Sequence, residues 1–439
     1  MTLAWQAPRR SRLAARRAGA LFGLFGLLGC PALGACAAPT TVPPIAPSLI
    51  ELTPVAGIGG IAYTATPTAG PSATSTIVAT VVVPPAEPLD LAPNVVASEF
   101  AAGLGPARAV AVAPDGVVMV AIARENRILA LPDRDADGRA DHVLPFGGPD
   151  GYNHPSDLAF GGGHLWIANT DGIARVPYEP GDVAARTAPQ MVVPLPEGGR
   201  NPDRSVALDG AVWLYIGVGG SCNACPQADV RQGAVLRLAV DGTSAAVYAR
   251  GLRAPYGLAV HPDSGEVWAT DQARDDRGDD GPSDELDRLI PGGDYGWPEC
   301  FGDRRADLEF GAGRERCLGS IGPVLELPPH QAPSGMAFHN GRMFPEDWHG
   351  DLLVAYFGSS TASLPTGHRV VRLPFDAGEP TGQVVDVASG WLRRDTRRWG
   401  RPADVAVAPD GAIYVADEAA GRVYRLTYMA PVPTATPPF

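Results

Sequence analysis

Six times between residues 108 and 407 the chain writes the same phrase: a proline or polar residue, a short apolar-Ala-apolar strand, a turn, and a second apolar strand. The first strands centre on Val110-Ala111-Val112, Leu158-Ala159-Phe160, Val206-Ala207-Leu208, Leu258-Ala259-Val260, Met336-Ala337-Phe338 and Val405-Ala406-Val407. The second strands follow at 117–121, 165–168, 212–216, 266–270, 351–355 and 413–416, and a third closes several copies, as at 127–131, 234–238, 369–373 and 422–426. A lone small sheet leaves its apolar face in water, so each unit must bury itself against the next. The spacing, roughly 56 residues per unit, suits a propeller blade with generous loops.

The expected fold class is therefore all-β, a six-bladed β-propeller over 91–428. A closed ring hides the sheet edges that would otherwise pair with other chains. Val95-Val96-Ala97-Ser98-Glu99-Phe100 is the strand expected to close it. A β-sandwich is the rival architecture, but it predicts no repeated strand-turn-strand signature. In a propeller the innermost strand of every blade starts at one mouth of the central channel. Arg108, His154, Arg204, Arg253, His330 and Arg401 stand at those starts, with Arg200 and Asn201 nearby. Guanidinium and imidazole groups gathered there would form a cationic funnel for a ligand carrying carboxylates or phosphates. The alternative is a set of ordinary loop residues, each paired with a local acid.

Composition narrows the chemistry. All 35 basic residues are arginine, which removes lysine Schiff-base catalysis and a Walker-type phosphate loop. The 53 glycines and 45 prolines suit many turns and short strands and disfavour long helices. A formal net charge of −13 argues against nucleic acid as a partner, because a phosphate backbone is bound by cationic surface.

Residues 1–36 read as a lipoprotein-type export signal. Arg9, Arg10, Arg12, Arg16 and Arg17 make a basic start, and 18–29 is an apolar run too short to span a bilayer comfortably. Leu27-Leu28-Gly29-Cys30 and Leu33-Gly34-Ala35-Cys36 both resemble cleavage boxes, with Cys36 the better acylation site because polar sequence follows it. An uncleaved amino-terminal membrane anchor is the other reading. Either way the remainder is exported and touches the membrane only through its anchor. Cleavage removes five arginines and no acid, leaving a net charge of −18. Residues 37–90, rich in Pro, Thr, Ala and Ser, cannot bury enough apolar surface to offset ordering and read as a disordered tether. A Pro/Thr-rich tail at 429–439 closes the chain.

Cys222, Cys225, Cys300 and Cys317 remain after the leader, an even set that fits an exported protein. The simplest pairing joins Cys222 to Cys225 and Cys300 to Cys317; a redox or zinc half-site at the first pair has no supporting second pair. Asp133, Asp135, Asp137 and Asp141, with Gly138 in the sixth position, match the first half of an EF-hand-type loop, although Leu144 holds the twelfth. They form either a structural calcium loop or a solvated acidic turn.

The segment Gly251-Leu252-Arg253-Ala254-Pro255-Tyr256-Gly257, followed by Asp279-Asp280-Gly281-Pro282-Ser283-Asp284-Glu285 and Gly292-Gly293-Asp294-Tyr295-Gly296-Trp297-Pro298, resembles the glucose/sorbosone dehydrogenase family over about 100–428. These are soluble six-bladed quinoproteins that oxidise sugars with pyrroloquinoline quinone (PQQ) and calcium. His330-Gln331-Ala332-Pro333 and the 390–402 segment resemble the sorbosone branch. The resemblance implies that Gly281 and Pro282 offer carbonyl oxygens to the cofactor's calcium, that Asp284 lines the site, and that Arg253 and Arg401 meet the carboxylates of PQQ. Hard oxygens suit calcium and guanidinium forks suit carboxylates.

The chain departs from the family where the general base is concerned. The family places a histidine just before the third inner strand; here the segment Arg200-Asn201-Pro202-Asp203-Arg204 puts arginine or asparagine there, and arginine cannot act as a base. His154, one blade earlier, is a candidate substitute, or else a hydrogen-bonded loop residue. The expected function is a PQQ-dependent sugar oxidoreductase. The alternative is a catalytically retired propeller that binds a carbohydrate, an anionic ligand or a protein. A lactonase-type hydrolase would need an acidic and polar metal ring at the mouth that the sequence does not provide.

Overall fold

The computed structural model describes residues 87–430 apart from 149, 198, 211, 243, 311, 312 and 360. Residues 1–86, with the expected leader and most of the expected tether, and residues 431–439 lie outside the described residues. Six sheets of four or five strands follow one another along the chain, antiparallel throughout except for the short parallel edge Gly293–Asp294 on the third, with two small two-stranded sheets beside them. Their innermost strands are Ala109–Val112, Asp157–Gly161, Arg204–Asp209, Pro255–Val260, Pro333–Phe338 and Pro402–Val407, numbered here as blades 1 to 6. Each inner strand packs beside the next, and blade 6 returns to blade 1, so the ring is closed.

The alternation of the strands explains the closure. Both faces of a blade are apolar, and six core clusters each fill the space between two neighbouring blades. Between blades 1 and 2, for example, Met119, Ile128 and Phe146 meet Leu165, Ile167 and Val176. Burying such a side chain contributes about 1.5–3 kcal/mol, which offsets the ordering of the long loops.

Val95–Ala102 is the outermost strand of blade 6, antiparallel to Arg422–Tyr428, so the amino-terminal end of the ring is laced to its carboxyl-terminal end. Phe100 is 2% exposed and meets Tyr414 edge-on at 5.0 Å. The chain joins the ring slightly earlier than residue 91: Asp90–Leu91 adds a short edge to blade 5. Outer strands are the weakest elements, reduced to Leu144–Pro145 in blade 1 and Leu325–Leu327 in blade 4. Cys222 pairs with Cys225 and Cys300 with Cys317, the second closing an insertion between the last two strands of blade 4.

Candidate active site at the channel mouth

Arg253, His330 and Arg401, each just ahead of an inner strand, reach one cavity of about 430 Å³ together with Arg200 and Asn201. Tyr256, Pro282, Asp284 and Phe357 complete most of its wall. Arg253 is 4% exposed. Its Nε and Nη2 donate to the carbonyl and Oδ1 of Asn223 at 3.0 and 2.7 Å, and Nη1 donates to the Gln272 carbonyl at 2.9 Å. Arg401 donates to the carbonyls of Phe357 and Gly358 and lies over the Phe357 ring, 3.9 Å from its centroid. Among the described residues neither arginine forms an ion pair. Burial accordingly lowers the pKa of both, that of Arg401 to about 10 with repulsion from Arg398 adding to it. Both remain cationic at neutral pH, and the site is built to meet negative charge.

Asp284 stands on the opposite side of that charge. Its two oxygens accept the amides of Ala273 at 2.9 Å and Ala332 at 3.0 Å. Burial pushes it up to about 7 even so. Pro282 lines the cavity, whereas Gly281 faces the adjoining groove with Phe301 and Leu308.

The rest of the expected funnel divides. Arg108 of blade 1 forms a two-point pair with Asp203 of blade 3 at 2.8 and 2.9 Å and donates to the Ser334 hydroxyl of blade 5 at 2.9 Å. Burial opposes ionisation of Asp203, but Arg108 and then His154 outweigh it and hold the carboxyl well below its usual range. His154 Nε2 lies 3.1 Å from Asp203 Oδ1, and the histidine is not part of the cavity wall. Arg204 is turned inward: it is 1% exposed and donates to the carbonyls of Pro196, Asn201 and Asp203. Asn201, which with Arg200 spans the position where the family's base is expected, is buried and donates to the Gly220 and Cys222 carbonyls.

Arg108 thus forms a chord across the ring. A second chamber of about 220 Å³, lined by inner strands of all six blades, lies along the channel and shares no wall residue with the mouth cavity. Asp157 and Asp404 face each other there, both raised by burial, and Asp157 also by repulsion from Asp404. A larger groove of about 610 Å³ opens beside the turns that end the inner strands, with Asp133, Asp410 and Arg425 in its wall. Of its two arginines Arg425 is paired with Asp410, and Arg134 stands in the acidic loop beside Asp133, so volume alone does not make it the anion site.

In the acidic loop, Asp133, Asp135 and Asp137 bring carboxylate oxygens within 4.8 Å of one another, while Asp141 instead accepts the amide of Arg134. The sequence reading missed a second cluster. Asp271, Glu285 and Asp287 of blade 4 are buried with oxygens within 4.8 Å, and neither oxygen of Asp287 has a hydrogen-bond partner. The pattern was visible in Glu285 and Asp287, two residues apart on one strand and so on one face. Burial pushes Asp271 to about 6 and Glu285 to about 8, and Asp287 well above the carboxylate range, with mutual repulsion adding to the last two.

Groups whose folded pKa is raised give their full stabilisation below the unfolded value, near 4, and lose it as pH climbs through the folded value. The propeller is therefore expected to lose on the order of a few kcal/mol of stability between pH 5 and pH 9. Asp287→Asn should flatten that loss; melting curves at the two pH values, wild type against variant, check it. An equal decline in both would remove the cluster as its cause.

A closed six-bladed ring with a cationic cavity at one mouth of its channel defines the class. The model of the glucose/sorbosone dehydrogenase family matches residues 197–425, and the chain belongs to that family. It is 27% identical over 241 residues to an aldose sugar dehydrogenase of Escherichia coli, covering 51% of this chain and 58% of that protein. It is 30% identical over 184 residues to an uncharacterized protein of Borreliella burgdorferi, covering 42% of this chain and 48% of that one. The chain thus spans about half the length of the curated relatives it matches. Among solved structures, a Trichoderma reesei carbohydrate-active enzyme of family AA12 superposes with a TM-score of 0.69 at 18% identity, over 78% of this chain and 97% of that one. The PQQ domain of Coprinopsis cinerea pyranose dehydrogenase gives 0.66 at 18%, over 79% and 98%. The PQQ-bound aldose sugar dehydrogenase of Streptomyces coelicolor gives 0.54 at 20%, over 77% and 100%. At these identities the likeness is one of fold.

Proposed function

We propose that the chain is an exported PQQ-dependent dehydrogenase acting on aldoses or sorbosone-type sugars, with calcium beside its cofactor. The observation that carries this reading is the pair of guanidinium groups, buried Arg253 and half-buried Arg401, that face one cavity and form no ion pair among the described residues. PQQ carries three carboxylates, so the donor set fits it. Arg253 and Arg401 would bind those carboxylates, and the carbonyls of Gly281 and Pro282 would offer hard oxygens to calcium. When bound, PQQ with calcium supplies a quinone that accepts hydride from the sugar. The chain's own part is to hold the carboxylates and stack Phe357 under Arg401. The loop of Asp133, Asp135 and Asp137 is a second, structural calcium position under the same reading.

Export and lipid attachment at Cys36 belong to this proposal, supported by the arginine-rich leader and by two disulfides, which persist in oxidising compartments. One observation favours a second reading, a retired propeller that binds its ligand without turnover: of the two residues around the family's base position, Arg200 is paired with Asp275 and Asn201 is held by backbone carbonyls, and neither can take a proton. Adding calcium and PQQ to the purified full chain, and following cofactor absorbance together with dye reduction on a panel of aldoses, separates the two. Turnover is expected; saturable binding without it would establish the retired form, and no binding would dismiss both.

A further inference from the structure

Oxidising a sugar hydroxyl requires a base for its proton, and the titratable groups lining the cavity can be taken in turn. Arg200, Arg253 and Arg401 hold their protons. Arg200 engages both oxygens of Asp275 at 2.8 and 3.0 Å. Asp284 accepts one amide on each oxygen and keeps a further lone pair on each, so it is the rival base, for which Asp284→Asn is the control. Tyr256 is pushed upward by burial and keeps its proton.

His330 differs from all of these. Its Nε2 lies 2.8 Å from the carbonyl of Gly278, which can only accept, so Nε2 carries the hydrogen. In the neutral ring Nδ1 then carries a lone pair, and its hydrogen-bond partner among the described residues is the Thr361 hydroxyl at 3.5 Å, itself part of the cavity wall. The backbone supports a functional role as well. His330 has φ of +61° and Ala332 of +50°, left-handed conformations that cost non-glycine residues on the order of 1–3 kcal/mol each and are held here by their surroundings. Gly358 donates to the Gln331 carbonyl, and Asp284 accepts the Ala332 amide. Asp279 and Asp284 are the acids within electrostatic reach of the ring.

We propose that His330, through Nδ1, is the general base of this chain, in place of the family's histidine, whose position falls at Arg200 or Asn201. This rests on the reading of the cavity as the PQQ site. The hydroxyl proton passes to Nδ1 while the carbon's hydride leaves to the quinone, so the C–H and O–H bonds break, a carbonyl forms, the sugar loses two electrons and the quinone gains them. The imidazolium then returns its proton to solvent.

The first test needs no cofactor. In the full chain labelled with 15N at histidine, the His330 ring is expected as the Nε2–H tautomer with an unprotonated Nδ1; an Nδ1–H tautomer would overturn the assignment. The second uses the full chain with calcium and PQQ. His330→Gln should lower kcat by about 10²- to 10⁴-fold, with PQQ affinity, read by absorbance titration, held within about threefold. His330→Gly should regain turnover on addition of imidazole, which a merely structural histidine would not show. Undiminished turnover in His330→Gln, or failure of imidazole to rescue a folded, PQQ-binding His330→Gly, would remove the base alone. Failure of the wild type to take up PQQ would remove the cavity reading, and the base with it.

Discussion

Replacing Arg253 by alanine is expected to weaken PQQ binding by on the order of a hundredfold, equivalent to about 3 kcal/mol, at the upper end for a hydrogen bond made by a charged group. The guanidinium is held from three sides by Asn223 and Gln272 and forms no ion pair among the described residues, with Asp271 and Asp275 acting on it only at a distance. Arg253→Lys should recover little of it, because an ammonium cannot span both Asn223 acceptors and the Gln272 carbonyl while also facing a ligand. Absorbance titration measures the affinity, and a melting curve shows whether the variant is folded. A folded Arg253→Ala chain with wild-type affinity would remove the argument that an unpaired buried cation marks this cavity.

The largest effect on stability is expected from removing Val95–Ala102. That strand contributes the fourth edge of blade 6, the buried Phe100 against Tyr414, and the ion pair of Glu99 with Arg422 at 3.0 Å. Without it the ring has an open edge at Arg422–Tyr428 and an uncovered apolar face. A chain beginning after Ala102 should lose its cooperative melting transition and associate into larger species, seen by circular dichroism and size-exclusion chromatography. A monomeric, cooperatively melting product would show that blade 6 stands without its fourth strand.

The propeller was legible because each blade repeats a period-two apolar pattern, and Val95 to Phe100 was legible as the extra strand such a ring requires. The positions of Arg253, His330 and Arg401 also followed from the repeat, since equivalent places on equivalent blades open at the same mouth. Side-chain direction did not follow. Arg204 occupies the same kind of place, yet the carbonyls of Pro196 and Asn201 capture it in the interior. Asn223, which holds Arg253, sits between two disulfide-bonded cysteines, and nothing in its local sequence announces an arginine 30 residues away. The buried acids of blade 4 were hidden for a related reason. Asp271 lies on one strand and Glu285 and Asp287 on the next, so only the register brings them together.

The chord that Arg108 draws to Asp203 and Ser334 has a further consequence. One side chain fastens alternate blades, so the hub is braced across its diameter as well as around its circumference. Cutting that brace would leave the half-buried Asp203 carboxylate without its main counter-charge, and blades 1, 3 and 5 would then be joined only through their neighbours.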